Sequence, residues 1–234
     1  MLIFTCHDDI IKKITALLTE GIALKIAFLG DSITLGYALE NQAERFSGKV
    51  CRILGAEEEN YGITGTLVAQ AGLNRNDEYS FLNRLDLILS ADIAVIFGGT
   101  NDYFWSDKEL FGEGEEYFSF AVEKICRFVC EKRKDKKTLL VTPYPHHGIG
   151  NYLGGKAWNT SNEHDTDELN FNGHRLCEYV EIIEQTGEKY GIPVLNLHKT
   201  PGFKWQEHTV DGCHPNSRGH DYLAEKIAEA INAI

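Results

Sequence analysis

The chain has 234 residues, 43% hydrophobic and 25% charged, and its 23 basic against 35 acidic residues give a net charge of −12. That balance excludes a surface built to neutralise nucleic-acid phosphates, and no run approaches the ~20 continuous apolar residues of a membrane-spanning helix. The length suits one α/β domain with a sizeable core.

At the N-terminus, "MLIFTCHDDIIKKITALLTEG" departs from a secretory pattern because Asp8, Asp9, Lys12 and Lys13 interrupt the apolar stretch. Ile10, Ile11, Ile14, Leu17 and Leu18 recur at helical spacing, which predicts a short amphipathic extension over residues 1–23. A cytoplasmic location is expected. Strands are predicted at Lys25–Leu29, more weakly at Glu57–Tyr61, then at Ile93–Phe97, Thr138–Thr142 and Pro193–Leu197. Helical patterns at Tyr117–Glu131, Asn172–Tyr190 and Arg218–Ile231 alternate with them, so the sheet should be parallel and covered on both faces. Ligands of such sheets bind where loops leave the carboxyl ends of strands. "GDS", "YGITG", "GGTND" and "TPYPHH" each follow a predicted strand. The polar, glycine-rich stretch His146–Asn170 comes after the fourth, and its length marks it as a lid or inserted loop.

Ser32, in "GDSIT", is either the cap of the next helix or a nucleophile. A nucleophilic serine needs a base, a group that orients the base, and donors for the oxyanion. "DGCHPN" offers Asp211 and His214 three residues apart, close enough for the carboxylate to fix the imidazole tautomer. The glycines of "NYGITG" let a backbone N–H approach a substrate oxygen, "GGTND" brings the Asn101 amide, and the Ser32 N–H is a third donor. Asn101 could equally cap the helix after the third strand. Asp31 is expected to brace its turn, and Asp102 its own loop.

These four blocks, in this order, resemble those of the SGNH hydrolases, also called GDSL esterases and lipases; the likeness runs from Ile26 to the C-terminal helix. The resemblance implies Ser32 as nucleophile, His214 as general base and acid, and Asp211 as its orienting group. It implies an oxyanion hole of Ser32, Gly65 and Asn101, with Gly62 the competing glycine. It further implies a flavodoxin-like three-layer α/β/α sandwich around a five-stranded parallel sheet, and no cofactor.

Tyr103, Phe104 and Trp105 follow "GGTND" directly and, with Tyr144, are expected to wall the substrate pocket. Tyr152, Trp158 and Trp205 also lie in or near candidate loops, as a platform for a sugar ring or as loop packing. No metal site is expected. His146 and His147 are adjacent, His164, Asp165 and Asp167 sit in a polar loop, and neither H-E-x-x-H nor paired C-x-x-C spacing occurs. The six cysteines, Cys126 and Cys130 among them, read as reduced and mostly buried. The expected activity is hydrolysis of small acyl esters, in particular O-acetyl groups on carbohydrates. A thioesterase, lysophospholipase or acyltransferase of the same chemistry, and a non-catalytic carbohydrate- or acyl-binding protein, are the rivals. A metal-dependent phosphoesterase is disfavoured because "GGTND" lacks a histidine. The expected partner is a small acyl ester, with no nucleic acid and no membrane insertion; a homo-oligomer is compatible with the sequence.

Overall fold

The computed structural model describes residues 23–70, 77–146, 169–170 and 172–234. The N-terminal helix, most of the His146–Asn170 stretch, Tyr152, Trp158 and the histidines and aspartates at 147, 164, 165 and 167 lie outside the described residues.

Five strands form one parallel sheet: β1 (Lys25–Gly30), β2 (Glu57–Gly62), β3 (Ile93–Phe97), β4 (Lys137–Val141) and β5 (Val194–Leu195). Their order is β2-β1-β3-β4-β5, the flavodoxin-like winding, which switches direction between β1 and β3. The register pairs Ile26 with Ile93 and Gly30 with Phe97, so both strands deliver their following loops to the same crevice.

The central strands read as unbroken apolar runs because both of their faces are buried. Ile26, Phe28, Ile93, Val95 and Phe97 point into one core cluster. Ala27, Leu29, Ala94 and Ile96 point into the other. Helices α2 (Phe46–Leu54) and α7 (Ser217–Ala233) pack together over the first face. Helices α4 (Phe118–Lys132) and α5 (Leu176–Tyr190), with a 3-10 segment at Leu82–Ile88, cover the second. Short helices α1 (Ser32–Leu35), α3 (Thr100–Trp105) and α6 (Trp205–His208) sit in the connections.

Two predicted elements shorten. The helix expected from Asn172 begins at Leu176, because the Asn170 carboxamide oxygen accepts from the N–H groups of Asn172 and His174 and holds the chain in a turn there. The last strand keeps two ladder residues where five were expected; Asn196 instead starts a turn, its side chain accepting from Lys199 N–H and its carbonyl from Thr200 N–H. Cys51, Cys126, Cys130, Cys177 and Cys213 are free thiols. No helix among the described residues is long and apolar enough to cross a membrane.

Candidate active site

Ser32 opens α1 directly after β1. The Asp31 carboxylate caps that helix by accepting from the Ile33 N–H at 2.8 Å. Ser32 is therefore the first residue past a cap and keeps its own N–H outside the helical ladder. Its hydroxyl lies 3.0 Å from His214 Nε2. The other ring nitrogen, Nδ1, lies 2.7 Å from Asp211 Oδ2. Asp211 Oδ1 accepts from the backbone N–H groups of His214 at 2.7 Å and Cys213 at 3.0 Å, which folds "DGCH" into a tight loop. Burial pushes the Asp211 carboxyl up, but the hydrogen bonds from the His214 ring and these two N–H groups outweigh it and hold it at about 2. Asn216, closing "DGCHPN", caps α7 by accepting from the Gly219 N–H at 3.1 Å. Its amide donates to the carbonyls of Glu207 and Thr209 on the other side of the loop.

The loops after β2 and β3 meet beside the serine. The Asn101 amide donates to the Thr66 carbonyl at 3.0 Å and, more weakly, to Asp31 Oδ2 at 3.4 Å. Gly65 has φ +73°, a left-handed conformation that suits glycine. Gly62 spends its N–H on Asn60 Oδ1 at 2.9 Å, whereas Gly65 N–H meets no acceptor among the described residues. Of the two glycines, Gly65 has the free donor. Asn60 also donates to the Thr34 carbonyl in α1 at 2.7 Å, so β2 grips the helix that bears Ser32.

Asp102 was expected to brace its own loop; it braces a different one. Its buried carboxylate accepts from Val68 N–H and Ala69 N–H, both at 2.9 Å, and so ties the "GITG" loop to α3. Burial raises Asp102 to about 7 and Asp31 to about 6, in each case against hydrogen bonds that favour the charged form.

The aromatic expectations also change. Tyr103 and Phe104 are interior residues of the α4/α5 face, and Tyr144 is fully buried in the other core. The Tyr144 hydroxyl donates to the Cys213 carbonyl at 2.6 Å, behind the histidine rather than in an open pocket. Trp105 is only half-buried, against the core edge. All four rings were read as pocket walls because they sit in loops after strands; apolar area drew three of them inward.

Two residues at the site were not anticipated. Tyr37 places its ring 4.6 Å from that of His214. Arg84 is buried under the loops and donates to the carbonyls of Gly30, Tyr61 and Tyr79 and to the Thr66 hydroxyl. Gly36, four residues after Ser32 and just before Tyr37, was a faint signal for the first. Nothing local marks Arg84, which shares the stretch "FLNRLDLIL" with one other charge, Asp86. Among the described residues, no three His, Cys, Asp or Glu side chains are grouped to hold a metal ion.

A parallel sheet with a serine, histidine and aspartate in hydrogen-bond series at its switch point defines a hydrolase-type site. The chain belongs to the GDSL-like lipase/acylhydrolase family, whose model matches residues 28–222. It is 27% identical over 253 residues to an acetylxylan esterase of Xylanibacter ruminicola, covering 97% of this chain and 48% of that protein. It is 26% identical to an N-acylneuraminate cytidylyltransferase of Escherichia coli over 183 residues, 78% of this chain and 37% of the relative. It thus spans about half or less of these curated relatives. A Lactobacillus plantarum protein of known crystal structure, 24% identical, superposes with a TM-score of 0.73 over 90% of this chain and 97% of its own.

Proposed function

We propose that the chain is a serine esterase that removes short acyl groups, specifically acetyl groups on carbohydrate hydroxyls, through an acyl-enzyme on Ser32. The observation that carries this reading is the continuous series Ser32–His214–Asp211, at 3.0 Å and 2.7 Å, in a chain of the GDSL family. The likeness to an acetylxylan esterase across nearly the whole chain supports acetyl and sugar as the two halves of the substrate.

In this mechanism Ser32 Oγ attacks the ester carbonyl as His214 Nε2 takes its proton. Asp211 accepts from Nδ1–H, keeps the ring in the required tautomer and stabilises the imidazolium that forms. The developing oxyanion is held by the N–H groups of Ser32 and Gly65 and by the Asn101 amide, which gives up its longer contact with Asp31. His214 then returns the proton to the departing sugar oxygen. Water enters and attacks the acyl carbon as His214 takes its proton; the acyl–Oγ bond then breaks, acetate leaves, and His214 returns the proton to Ser32 Oγ.

The test is hydrolysis of p-nitrophenyl acetate by wild type and Ser32→Ala, with and without a serine-directed organophosphonate, followed by mass analysis. The expected result is activity abolished by both inhibitor and substitution, with one adduct on Ser32. Activity that survives in Ser32→Ala would refute the assignment.

A further inference from the structure

One exposed aromatic ring stands directly against the histidine of the site. Tyr37 is 48% exposed, among the few large apolar side chains of the described structure left so open to solvent. Yet its ring is not loose. The Tyr37 N–H donates to the Ser32 carbonyl at 2.9 Å, so its backbone is fastened to the serine itself. Its ring sits 4.6 Å from the His214 ring, tilted by 52°. The next residue, Ala38, has φ +69°, the left-handed region that a side-chain-bearing residue enters only at a cost. Among the described residues it is the only one other than glycine that does so. The Gln42 amide pins this turn from outside by donating to the carbonyls of Gly36 and Leu39. A strained turn, tied at one end to Ser32, thus presents an uncovered ring beside His214. Strain of this kind persists where the surroundings over-determine it, and such places cluster at functional sites.

We propose that Tyr37 is a specificity-determining residue: its ring is the platform on which the alcohol half of the ester, a pyranose ring, is stacked. This inference rests on the esterase reading above and deepens it. The geometry of proton return supplies the direction. The leaving oxygen must come within hydrogen-bond reach of His214 Nε2, so the group attached to that oxygen projects from the histidine. A ring beside the imidazole that is itself half exposed to solvent is where that group arrives. A pyranose offers a face of C–H bonds, which packs well on an aromatic surface, while its hydroxyls remain free to meet water. A short aliphatic alcohol such as ethanol has no such face to offer.

The experiment compares two acetate esters that share the acyl group and differ in the alcohol: mono-acetylated methyl β-xyloside and ethyl acetate. The readout is the ratio of their kcat/KM values in wild type, Tyr37→Ala and Tyr37→Phe. The proposal expects Tyr37→Ala to lower the ratio, xyloside over ethyl acetate, by about five- to tenfold, chiefly through KM, and Tyr37→Phe to restore it. A ratio unchanged in Tyr37→Ala, whether both esters slow together or neither does, would overturn it; in the first case the ring merely supports His214. The esterase reading fails separately, and takes this inference with it, if wild type hydrolyses neither ester and takes no organophosphonate on Ser32.

Discussion

The Tyr144 hydroxyl donates to the Cys213 carbonyl at 2.6 Å, joining the end of β4 to the loop that carries Asp211 and His214. Both partners are buried, and burial pushes the phenol well above its ordinary range, so the hydroxyl stays a donor throughout any accessible pH. The imidazole is thereby held from behind as well as by Asp211. Tyr144→Phe keeps the ring and strands the carbonyl, so it should lower the free energy of unfolding by about 1–3 kcal/mol. On p-nitrophenyl acetate it should lower kcat several-fold with little change in KM, since it loosens the base rather than the binding surface. Urea denaturation with steady-state kinetics checks both; a variant as stable and as fast as wild type would remove Tyr144 from the support of the histidine.

Gly62 and Gly65 should separate cleanly under alanine substitution. A Cβ on Gly62 would meet the Leu35 backbone nitrogen at 2.2 Å, inside α1, and must push that helix away. Gly62→Ala should therefore cost several kcal/mol, at the level of severe overpacking, and depress expression or Tm. Gly65 lies at φ +73°, where alanine costs roughly 1–2 kcal/mol. Gly65→Ala should fold, with a modestly lower Tm, and, if the proposed mechanism holds, lose most of its kcat because its N–H turns away from the proposed oxyanion position. Equal kcat in Gly65→Ala and wild type would return the donor role to another group.

How much of this was legible in the sequence follows from the range of the interactions. β1 and β3 are buried on both faces, and their apolar runs announce them. β2 is an edge strand carrying Glu57, Glu58 and Glu59, so its pattern was faint; Glu58 is half-buried with Arg45 forked onto both its oxygens and the Ser47 hydroxyl donating to one of them. Asp211 and His214 could be paired in advance because three residues of chain bring them together. Ser32, 182 residues from His214, could be matched to them only by what a nucleophile requires and by the resemblance, not by local spacing. Asp102 was misread for the same reason. A carboxylate beside a turn is read as local, and its partners Val68 and Ala69 are more than thirty residues away. The aromatics expected at the pocket are a different case: loop position says nothing about which way a ring points, and Tyr103, Phe104 and Tyr144 are buried while Trp105 is half-exposed.

Arg84 is the clearest case of a residue that sequence could not rank. Its guanidinium reaches the ends of β1 and β2 at once, through Gly30 and Tyr61, and adds Tyr79 and the Thr66 hydroxyl. Burial pulls it down to about 10, with the nearby Asp31 opposing that shift. Arg84→Met should strand these oxygens and cost about 3 kcal/mol or more. Arg84→Lys should rescue little, because an ammonium on a flexible stem cannot reproduce a planar fork of donors. Urea midpoints for the two variants settle the matter: a lysine variant as stable as wild type would mean that the charge matters and the fork does not.

Asp102 makes a prediction about pH. Burial raises its carboxyl to about 7, and the N–H groups of Ala69 and Val68 offset only part of that. In the unfolded chain the same group ionises near 4. Between about pH 4 and about pH 7 the folded protein therefore holds a proton that the unfolded chain has released. This group's contribution to stability is greatest at the acid end, declines as pH rises through that window, and is level above it. Asp102→Asn removes the titration while keeping an oxygen for one of the two N–H groups. The wild-type-minus-variant difference in unfolding free energy should thus fall steadily from pH 4.5 to pH 7.5. Asp31, raised to about 6, titrates in both proteins and largely cancels from the difference. Urea unfolding at four pH values measures it. A difference that stays flat or grows with pH would mean that Asp102 is ionised in the fold at ordinary carboxylate values, and that its negative charge, not its burial, holds the "GITG" loop against α3.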